Sequence, residues 1–342
     1  MHFELFVYPS FQLPYYNIPL SPLYYVHIHP SLRSLSYTWK FKKVGLWSHT
    51  VREHLHELFD YLNVILGDYT TRELRYDSDS LLALAGILRH LRAPPLNLRH
   101  VWGVPCDIDA PDGGRGPRSK TRFAYDTFVA GLCWNHVRNC WESSGKPRRR
   151  LSSMSSSPIP PTWTWAGWDG QVVFDNRQVY LGPSTLTMRA HRFWLEDQHG
   201  HRSTVSSVAE STLSESFRYP ILFIESWAVS PDRIHFREMP DGSVNWNMYG
   251  YKARRMCLSE GAGSEAGLAK HLTENEERWR CVLLGASGPE DRPEDVILLI
   301  LRKEVDENMW ARVGIVILKC HAPAMAELAQ ELPFPTEEFR IK

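Results

Sequence analysis

One short segment constrains the fold of this chain more than any other: Pro161-Thr162-Trp163-Thr164-Trp165-Ala166. Its tryptophans alternate with threonines, and a period of two is typical of a strand with one buried face. The whole chain carries 13 tryptophans in 342 residues, and side chains of this size fill a core or form a binding surface. We expect a tryptophan strand buried against another element, with its threonines on the wetter face.

Short apolar runs separated by turn residues follow this segment. The two longest runs are Val296 to Leu301 and Val313 to Leu318, and Asp241-Gly242 is the clearest hairpin turn. This spacing is typical of antiparallel strands. The sequence therefore predicts an antiparallel β-rich region over residues 161–322, followed by a C-terminal helix and a polar tail over residues 323–342.

Helical spacing dominates the preceding region. From residue 48, apolar residues recur three and four positions apart, which places them on one face of a helix. Two further helices are predicted, one capped by Asp77 or Ser78 and the other over residues 123–141. The predicted fold class is α+β, with a helical N-terminal half (residues 46–142) packed on a mainly antiparallel β C-terminal region.

Three stretches have the composition of loops. Residues 93–120 are rich in proline and glycine, which predicts an exposed loop. Residues 143–160 are rich in serine, proline and arginine, which predicts a flexible loop. Residues 1–45 carry repeated prolines and are predicted to be an irregular segment, which a wrongly assigned gene start would explain.

The 143–160 loop contains Arg149-Arg150-Leu151-Ser152, which resembles the Arg-Arg-x-Ser substrate pattern of basophilic kinases. A phosphate on Ser152 would add about −1.5 to −2 charge beside the arginines and would pin the loop. Ser152 with Arg149 and Arg150 is therefore the candidate phosphorylation site. A solvated basic patch is the alternative interpretation.

Charge and composition argue against several classes of partner. The 39 basic and 39 acidic residues give a formal net charge of zero, so no overall field attracts nucleic acid. Prolines interrupt the apolar start before about 20 residues accumulate, so no membrane span is predicted. Six cysteines without CxxC spacing fit reduced thiols in the cytoplasm. No motif indicates a cofactor or a small-molecule ligand.

Three His-x-His pairs and one run of alternating aspartates have the spacing of metal ligands. His199 and His201 alternate in a turn close to Asp197, and Asp107 and Asp109 alternate like the start of a calcium loop. The calcium pattern lacks its closing glutamate, and histidines in solvated loops are far more common than metal ligands. We therefore predict no metal site.

Two other functions stay open from the residues alone. A hydrolase with a cleft between helices and sheet would use His136 or His199 as its base. A carbohydrate-binding module would use an exposed stacking surface formed by Trp163, Trp165 or Trp168.

The order of several phrases resembles a known family. The phrases are Tyr69-Thr70-x-Arg72-x-Leu74, Asp79-x-Leu81-x-Ala83-Leu84-x-Gly86-Ile87, Phe128-x-Ala130-Gly131-Leu132-x-Trp134 followed by Trp141, Pro161 to Ala166, and Ala311-Arg312-Val313-Gly314. They are similar to the region that follows the HET domain in fungal heterokaryon-incompatibility (HET) proteins. The packing residues that the resemblance names are Asp79, Leu81, Ala83, Leu84, Gly86, Gly131, Trp134, Trp141, Trp163 and Trp165.

The resemblance is discontinuous over residues 55 to 320, and the phrases typical of the HET domain itself have no counterpart here. It implies a non-catalytic regulatory or scaffold portion of a HET-like protein, connected with fungal nonself recognition and the control of cell death. Such a portion would act in the cytoplasm through a protein partner.

Overall fold

The computed structural model describes residues of the compact unit Thr50–Lys342. They are residues 62–63, 65–72, 74, 77–82, 84–92, 98–107, 127–136, 148–150, 159–174, 192–229, 234–238, 244–248, 251–258, 276–287, 295–304, 308–319 and 336–342. Several predictions fall outside these residues: the 1–45 segment, Ala83, Trp141, Ser152, the Asp241-Gly242 turn and the helix after residue 322.

Strands dominate the described residues. In chain order they are β1 (Leu98–Val101), β2 (Val104–Asp107), β3 (Trp134–His136), β4 (Arg148–Arg149), β5 (Trp168–Asp169), β6 (Val172–Phe174), β7 (Arg192–Glu196), β8 (Arg202–Thr204), β9 (Ile221–Val229), β10 (Ile234–Glu238), β11 (Val244–Met248), β12 (Tyr251–Leu258), β13 (Trp279–Ser287), β14 (Asp295–Lys303), β15 (Trp310–Lys319) and β16 (Thr336–Ile341).

The helical elements are short. They are α1 (Ala85–Arg92), α2 (Val205–Glu210) and α3 (Leu213–Ser216), with 3-10 turns at Asp77–Ser80, Trp165–Gly167 and Glu276–Arg278. Residues 62–63, 65–69 and 127–132 are also helical.

The predicted α+β fold with a helical N-terminal half is wrong. In the described part of residues 46–142, β1, β2 and β3 lie between helical pieces, and α1 has only eight residues. The β1–β2 hairpin lies inside the predicted 93–120 loop, and the helix predicted over 123–141 gives way to β3 after residue 132. The described apolar residues of these strands are fully buried, so tertiary burial overrides the helical spacing of the local sequence.

Ten strands form one sheet, in the order β10-β11-β12-β15-β14-β13-β9-β7-β8 with β16 off this path. β16 pairs with β9 in antiparallel orientation and with β15 in parallel orientation. The remaining described pairings in this sheet are antiparallel. Because β16 contacts both β9 and β15, the strands β9, β13, β14, β15 and β16 form a closed circuit of neighbours.

The two long apolar runs form adjacent strands of this sheet. Leu299 of β14 lies opposite Ile315 of β15, and Ile297 lies opposite Ile317. All six residues of the run 296–301 are buried. Neighbouring residues on a strand point to opposite faces of the sheet. Both faces of the sheet are therefore covered at this point, as expected for a continuous apolar strand.

A two-residue turn joins β1 to β2. Trp102 and Gly103 both have positive φ, 52° and 80°, which is the turn geometry that matches the twist of a hairpin. The indole N–H of Trp102 donates to the carbonyl of Tyr219 at 3.0 Å. This bond ties the hairpin to the segment that enters β9.

The predicted tryptophan strand is a turn followed by a 3-10 helix. The N–H of Thr164 donates to the carbonyl of Pro161 at 3.2 Å, and the N–H of Gly167 donates to that of Thr164 at 3.2 Å. Trp163 and Trp165 are buried as predicted, but Thr162 and Thr164 are buried too. The period of two therefore does not separate a buried face from a wet face here.

Two stretches predicted as loop or tail contain strands. β4 lies inside the 143–160 stretch and pairs with β5. β16 pairs with β9 along six residues, and its Phe339 and Ile341 are buried. Their alternation with polar residues marks a strand with one buried face, which the high charge of the stretch conceals.

Candidate functional site

Five tryptophans lie at the centre of the described structure, each at most 2% exposed: Trp102, Trp134, Trp163, Trp165 and Trp168. We call these five residues the tryptophan core. They come from the β1–β2 turn, from β3, from the turn and 3-10 helix before β5, and from β5 itself. Segments far apart in the sequence thus meet around one set of indole rings, which contribute large buried apolar areas.

Each indole N–H of the tryptophan core donates to a backbone carbonyl. The acceptors are Tyr219 for Trp102 (3.0 Å), Trp163 for Trp134 (3.2 Å), Pro220 for Trp163 (2.9 Å), Gly103 for Trp165 (2.9 Å) and Thr162 for Trp168 (2.8 Å). A buried donor without an acceptor costs about 1–3 kcal/mol. These bonds therefore favour a single arrangement of the five rings.

Arg312 of β15 enters the tryptophan core with its side chain fully buried. Its Nη1 donates to the carbonyls of Leu132 at 2.8 Å and Trp163 at 3.5 Å, and its Nη2 donates to the carbonyl of Trp134. The guanidinium carbon also lies 3.7 Å from the centroid of the Trp134 ring. Burying a cation is costly unless its donors are matched, and these carbonyls and the π face supply partners for its two Nη groups.

Thr162 extends this network through its hydroxyl. The backbone N–H of Arg312 donates to Thr162 Oγ1 at 3.0 Å, and the hydroxyl donates to the carbonyl of Lys342. One side chain thus connects β15, the turn before β5 and the residue that follows β16.

β3 places two further polar side chains in the interior, Asn135 and His136, each 1% exposed. Among the described residues, none hydrogen-bonds the side-chain amide of Asn135, and the backbone of Gln171 is the hydrogen-bonding group that acts on the His136 ring. The His136 ring packs nearly at right angles to Trp134 and Trp168, with centroids 5.6 Å and 6.4 Å away. The imidazole is therefore an uncharged packing element of the tryptophan core.

The surroundings keep His136 neutral. Burial lowers the pKa of His136 from 6.5 to about 3, an effect that the backbone of Gln171 partly offsets and the cations Arg312 and Arg150 reinforce. Burial likewise lowers the pKa of His100 to about 4, with Arg92 adding to the effect. Both rings are therefore uncharged at neutral pH.

Arg150 is a second buried arginine, with 4% of its side chain exposed. Its Nε donates to the carbonyl of Trp168 at 2.9 Å, its Nη2 lies 3.3 Å from Oδ1 of Asp169, and its N–H donates to the carbonyl of Gly167 at 2.9 Å. Arg150 therefore uses these donors inside the fold, and the phosphorylation site at Ser152 with Arg149 and Arg150 stays a prediction. Ser152 lies outside the described residues.

The environment of Arg149 differs from that of the buried Arg150. Arg149 is partly exposed, and its Nη1 lies 3.6 Å from Oε1 of Glu304. Arg302 approaches the same carboxylate oxygen at 3.6 Å. The two adjacent arginines of the candidate phosphorylation site thus have separate environments, one in the core and one on the surface.

The described packing residues of the resemblance mostly lie in the core. Leu81, Leu84, Trp134, Trp163 and Trp165 are buried, Asp79 is half-buried, and Gly131 allows close approach of Pro105. Gly86 is an exception: it is exposed, and a Cβ added there would meet no atom within 4 Å.

Two contacts explain why the Asp79-to-Ile87 phrase belongs with the tryptophan phrase. The Ser80 hydroxyl donates to the carbonyl of Ala166 at 3.0 Å, and the Tyr69 hydroxyl donates to the carbonyl of Ser80 at 2.6 Å. The Tyr69 ring also meets the Trp165 ring edge-on. Burial raises the pKa of Tyr69 to about 12, so the hydroxyl remains a donor across the physiological range.

Arg312 had no predicted role beyond its place in the phrase Ala311-Arg312-Val313-Gly314. The signal was present: Arg312 is the charged residue inside the apolar run Ala311 to Leu318. A single charge in a strand buried on both faces must find its partners in the interior. Thr162 carried no such signal.

Glu196, whose side chain is buried, forms a separate ion cluster in the sheet with two partly exposed arginines. Its carboxylate accepts from Nε of Arg202 at 3.3 Å and from Nε of Arg340 at 3.0 Å. These side chains come from β7, β8 and β16, so the cluster joins three strands.

His199 and His201 are exposed in the turn between β7 and β8. Oδ1 of Asp197 accepts the backbone N–H groups of both histidines at 2.8 Å, and its Oδ2 lies 3.1 Å from Nδ1 of His201. This carboxylate organises the turn. Within the described residues, no group of three or more histidines, cysteines and carboxylates is arranged to hold a metal ion.

Comparison with known proteins adds no family. No protein-family model, curated protein or solved structure matches the chain. Among the described residues, no helix combines the length and the apolar character that crossing a membrane requires.

Proposed function

We propose that this chain is a non-catalytic regulatory or scaffold portion of a HET-like protein, connected with fungal nonself recognition and the control of cell death. It acts in the cytoplasm, through contact with a protein partner. One observation supports this most: the phrases that carry the resemblance meet in a single core. Arg312 of the last phrase bonds to carbonyls of Leu132 and Trp134 in the third phrase and of Trp163 in the fourth.

These contacts give the resemblance a physical meaning. The shared residues specify a packed interior, because their side chains contact one another instead of converging on a cleft. A module of this kind contributes a stable surface and leaves the chemistry to other domains.

A hydrolase receives less support from the geometry. His136 is buried between two tryptophans, and its low pKa keeps it neutral, but substrate cannot reach its ring nitrogens. His199 is exposed, but its neighbour Asp197 is occupied by the turn. A general base needs a nearby proton to abstract and a group that orients it.

A carbohydrate-binding module also receives less support. Such a module needs Trp163, Trp165 or Trp168 at the surface, where an aromatic face can stack on a sugar ring. All three are at most 2% exposed, and their indole N–H groups bond to backbone carbonyls.

The test is expression of the full chain in a filamentous fungus together with a HET-domain protein that triggers cell death. We expect the chain to change the frequency of death, scored by uptake of a vital dye, and to co-purify with the HET-domain protein. The variant Arg312→Met, which breaks the core, should lose both effects, whereas Gly86→Ala, on the exposed side of α1, should retain them. Unchanged death and no binding by the folded wild-type chain would refute the proposal.

A further inference from the structure

His136 occupies an unusual position for a titratable group. It is fully buried in a three-residue strand, tryptophan rings lie on two sides of it, and the backbone of Gln171 is the one described hydrogen-bonding group that acts on its ring. A neutral imidazole is tolerated there as an aromatic ring. An imidazolium needs an acceptor or water for each of its two N–H groups; the backbone of Gln171 can serve one of them, and no described residue serves the other.

We propose that His136 makes the tryptophan core acid-sensitive: proton uptake on its ring drives β3 away from β6 and exposes Trp134 and Trp168. The position of the ring carries this inference, since a cation there is stable only after the strand has opened.

The charged groups around the ring reinforce the effect. Arg312 approaches from β15 and Arg150 from the end of β4, and both raise the cost of a third positive charge. The nearby carboxylate, Asp169 of β5, lies 3.3 Å from the guanidinium of Arg150. From β6, the ring faces the apolar strand Val172–Phe174. Among the side chains that the structure describes, the neighbouring elements thus supply two cations and a carboxylate that is already engaged.

The direction of the pH effect follows from the two protonation states. The pKa of His136 is about 3 in the folded protein. In the opened strand the ring is exposed to water, and its pKa returns to the ordinary value of 6.5. The neutral ring stabilises the closed β3–β6 pair. This stabilisation is complete well above pH 6.5 and is lost as the pH falls toward 3. Well below pH 6.5 the opened form gains about tenfold in population for each pH unit, which amounts to about 15-fold between pH 6.5 and pH 5 and about 30-fold between pH 7.5 and pH 5.

The strand pair is suited to local opening. β3 and β6 pair over three residues, with His136 opposite Val172 and Trp134 opposite Phe174, in a sheet separate from the ten-stranded one. The three-residue β3–β6 pairing and the bonds of Trp134 to Arg312 and Trp163 must break before the ring reaches water, and we expect this local opening to precede unfolding of the large sheet.

The experiment is amide hydrogen exchange on the full chain at about pH 7.5 and pH 5, corrected for the intrinsic pH dependence of exchange. We expect protection of β3 and β6 amides to fall about 30-fold in the wild type, while β14 and β15 remain protected. In His136→Phe, which keeps an aromatic ring but cannot take up a proton, this loss should disappear. His201→Phe, at an exposed histidine, should behave like the wild type.

The same loss of β3 and β6 protection in His136→Phe would overturn the proposal. A direct measurement covers the case in which this variant does not fold: an NMR titration of the histidine rings in the wild type. We expect the His136 signals to titrate only together with opening of β3. Titration near pH 6.5 with β3 still protected would equally overturn the inference.

Discussion

The guanidinium carbon of Arg312 lies 3.7 Å from the centroid of the Trp134 ring, and the same guanidinium donates to the carbonyl of Trp134. One residue thus offers both its π face and its backbone to a buried cation. A planar, delocalised cation can use both at once, which a point charge on a flexible stem cannot. This relationship fixes β15 against β3 at the centre of the tryptophan core.

Replacing Arg312 by lysine should destabilise the protein by about 3 kcal/mol, because the ammonium cannot reach all the carbonyls that the guanidinium joins. The matched control is Arg202→Lys. Arg202 lies 3.6 Å from the Phe223 centroid but is 41% exposed, so its replacement should cost about 1 kcal/mol or less. Urea unfolding of the two variants measures the difference, and equal losses would contradict the assigned role of Arg312.

Arg149 and Arg150 provide a test within two adjacent residues. Arg150→Met should cost about 2 kcal/mol, because the buried carbonyl of Trp168 loses its donor. Arg149→Met removes a partly exposed ion pair with Glu304 and should cost about 0.5 kcal/mol. Thermal unfolding of both variants checks the order. A larger loss at Arg149 would show that Arg150 does not anchor β4.

Burial of the tryptophans was predictable from their size and number, but their secondary structure was not. Alternation of Trp163 and Trp165 with threonines matches a strand, yet the segment is a turn that leads into a 3-10 helix. The local pattern of apolar and polar residues predicts which side chains are buried. The element that buries them depends on partners such as Pro220 and Gly103, which are remote in sequence.

The partners of Arg312 could not be predicted from the sequence for the same reason. Its guanidinium acceptors lie between 149 and 180 positions away along the chain. The hairpin β1–β2 was missed because its turn is Trp102-Gly103, whereas the common signals for this turn are Asn-Gly and Asp-Gly. The strands β14 and β15 were predicted correctly, since a long apolar run needs no distant partner to identify it.

Two glycines of the resemblance should respond in opposite directions to alanine. Gly131→Ala should destabilise the protein by about 2 kcal/mol, because the new Cβ would lie 2.8 Å from Cδ of Pro105 and must displace it. Gly86→Ala should stabilise α1 by about 0.5 kcal/mol, since the site is open and alanine favours a helix. Chemical denaturation monitored by circular dichroism compares the pair. Stabilisation by Gly131→Ala would contradict the close approach of β2.

Cys281 should resist alkylation while the protein is folded. Burial in β13 raises the pKa of its thiol to about 12, and only the thiolate reacts with iodoacetamide. We expect labelling of Cys281 at pH 8 to be at least about 100-fold slower in buffer than in concentrated urea, where its pKa returns to about 8.5. Peptide mass spectrometry resolves Cys281 from the other cysteines, and the buried Cys106 and Cys133 should be protected in parallel. β13 lies between β14 and β9 in the sheet. Rapid labelling of Cys281 alone in the folded protein would therefore show that the sheet opens at β13. In that case the burial of Cys281 would not reflect a permanently closed core.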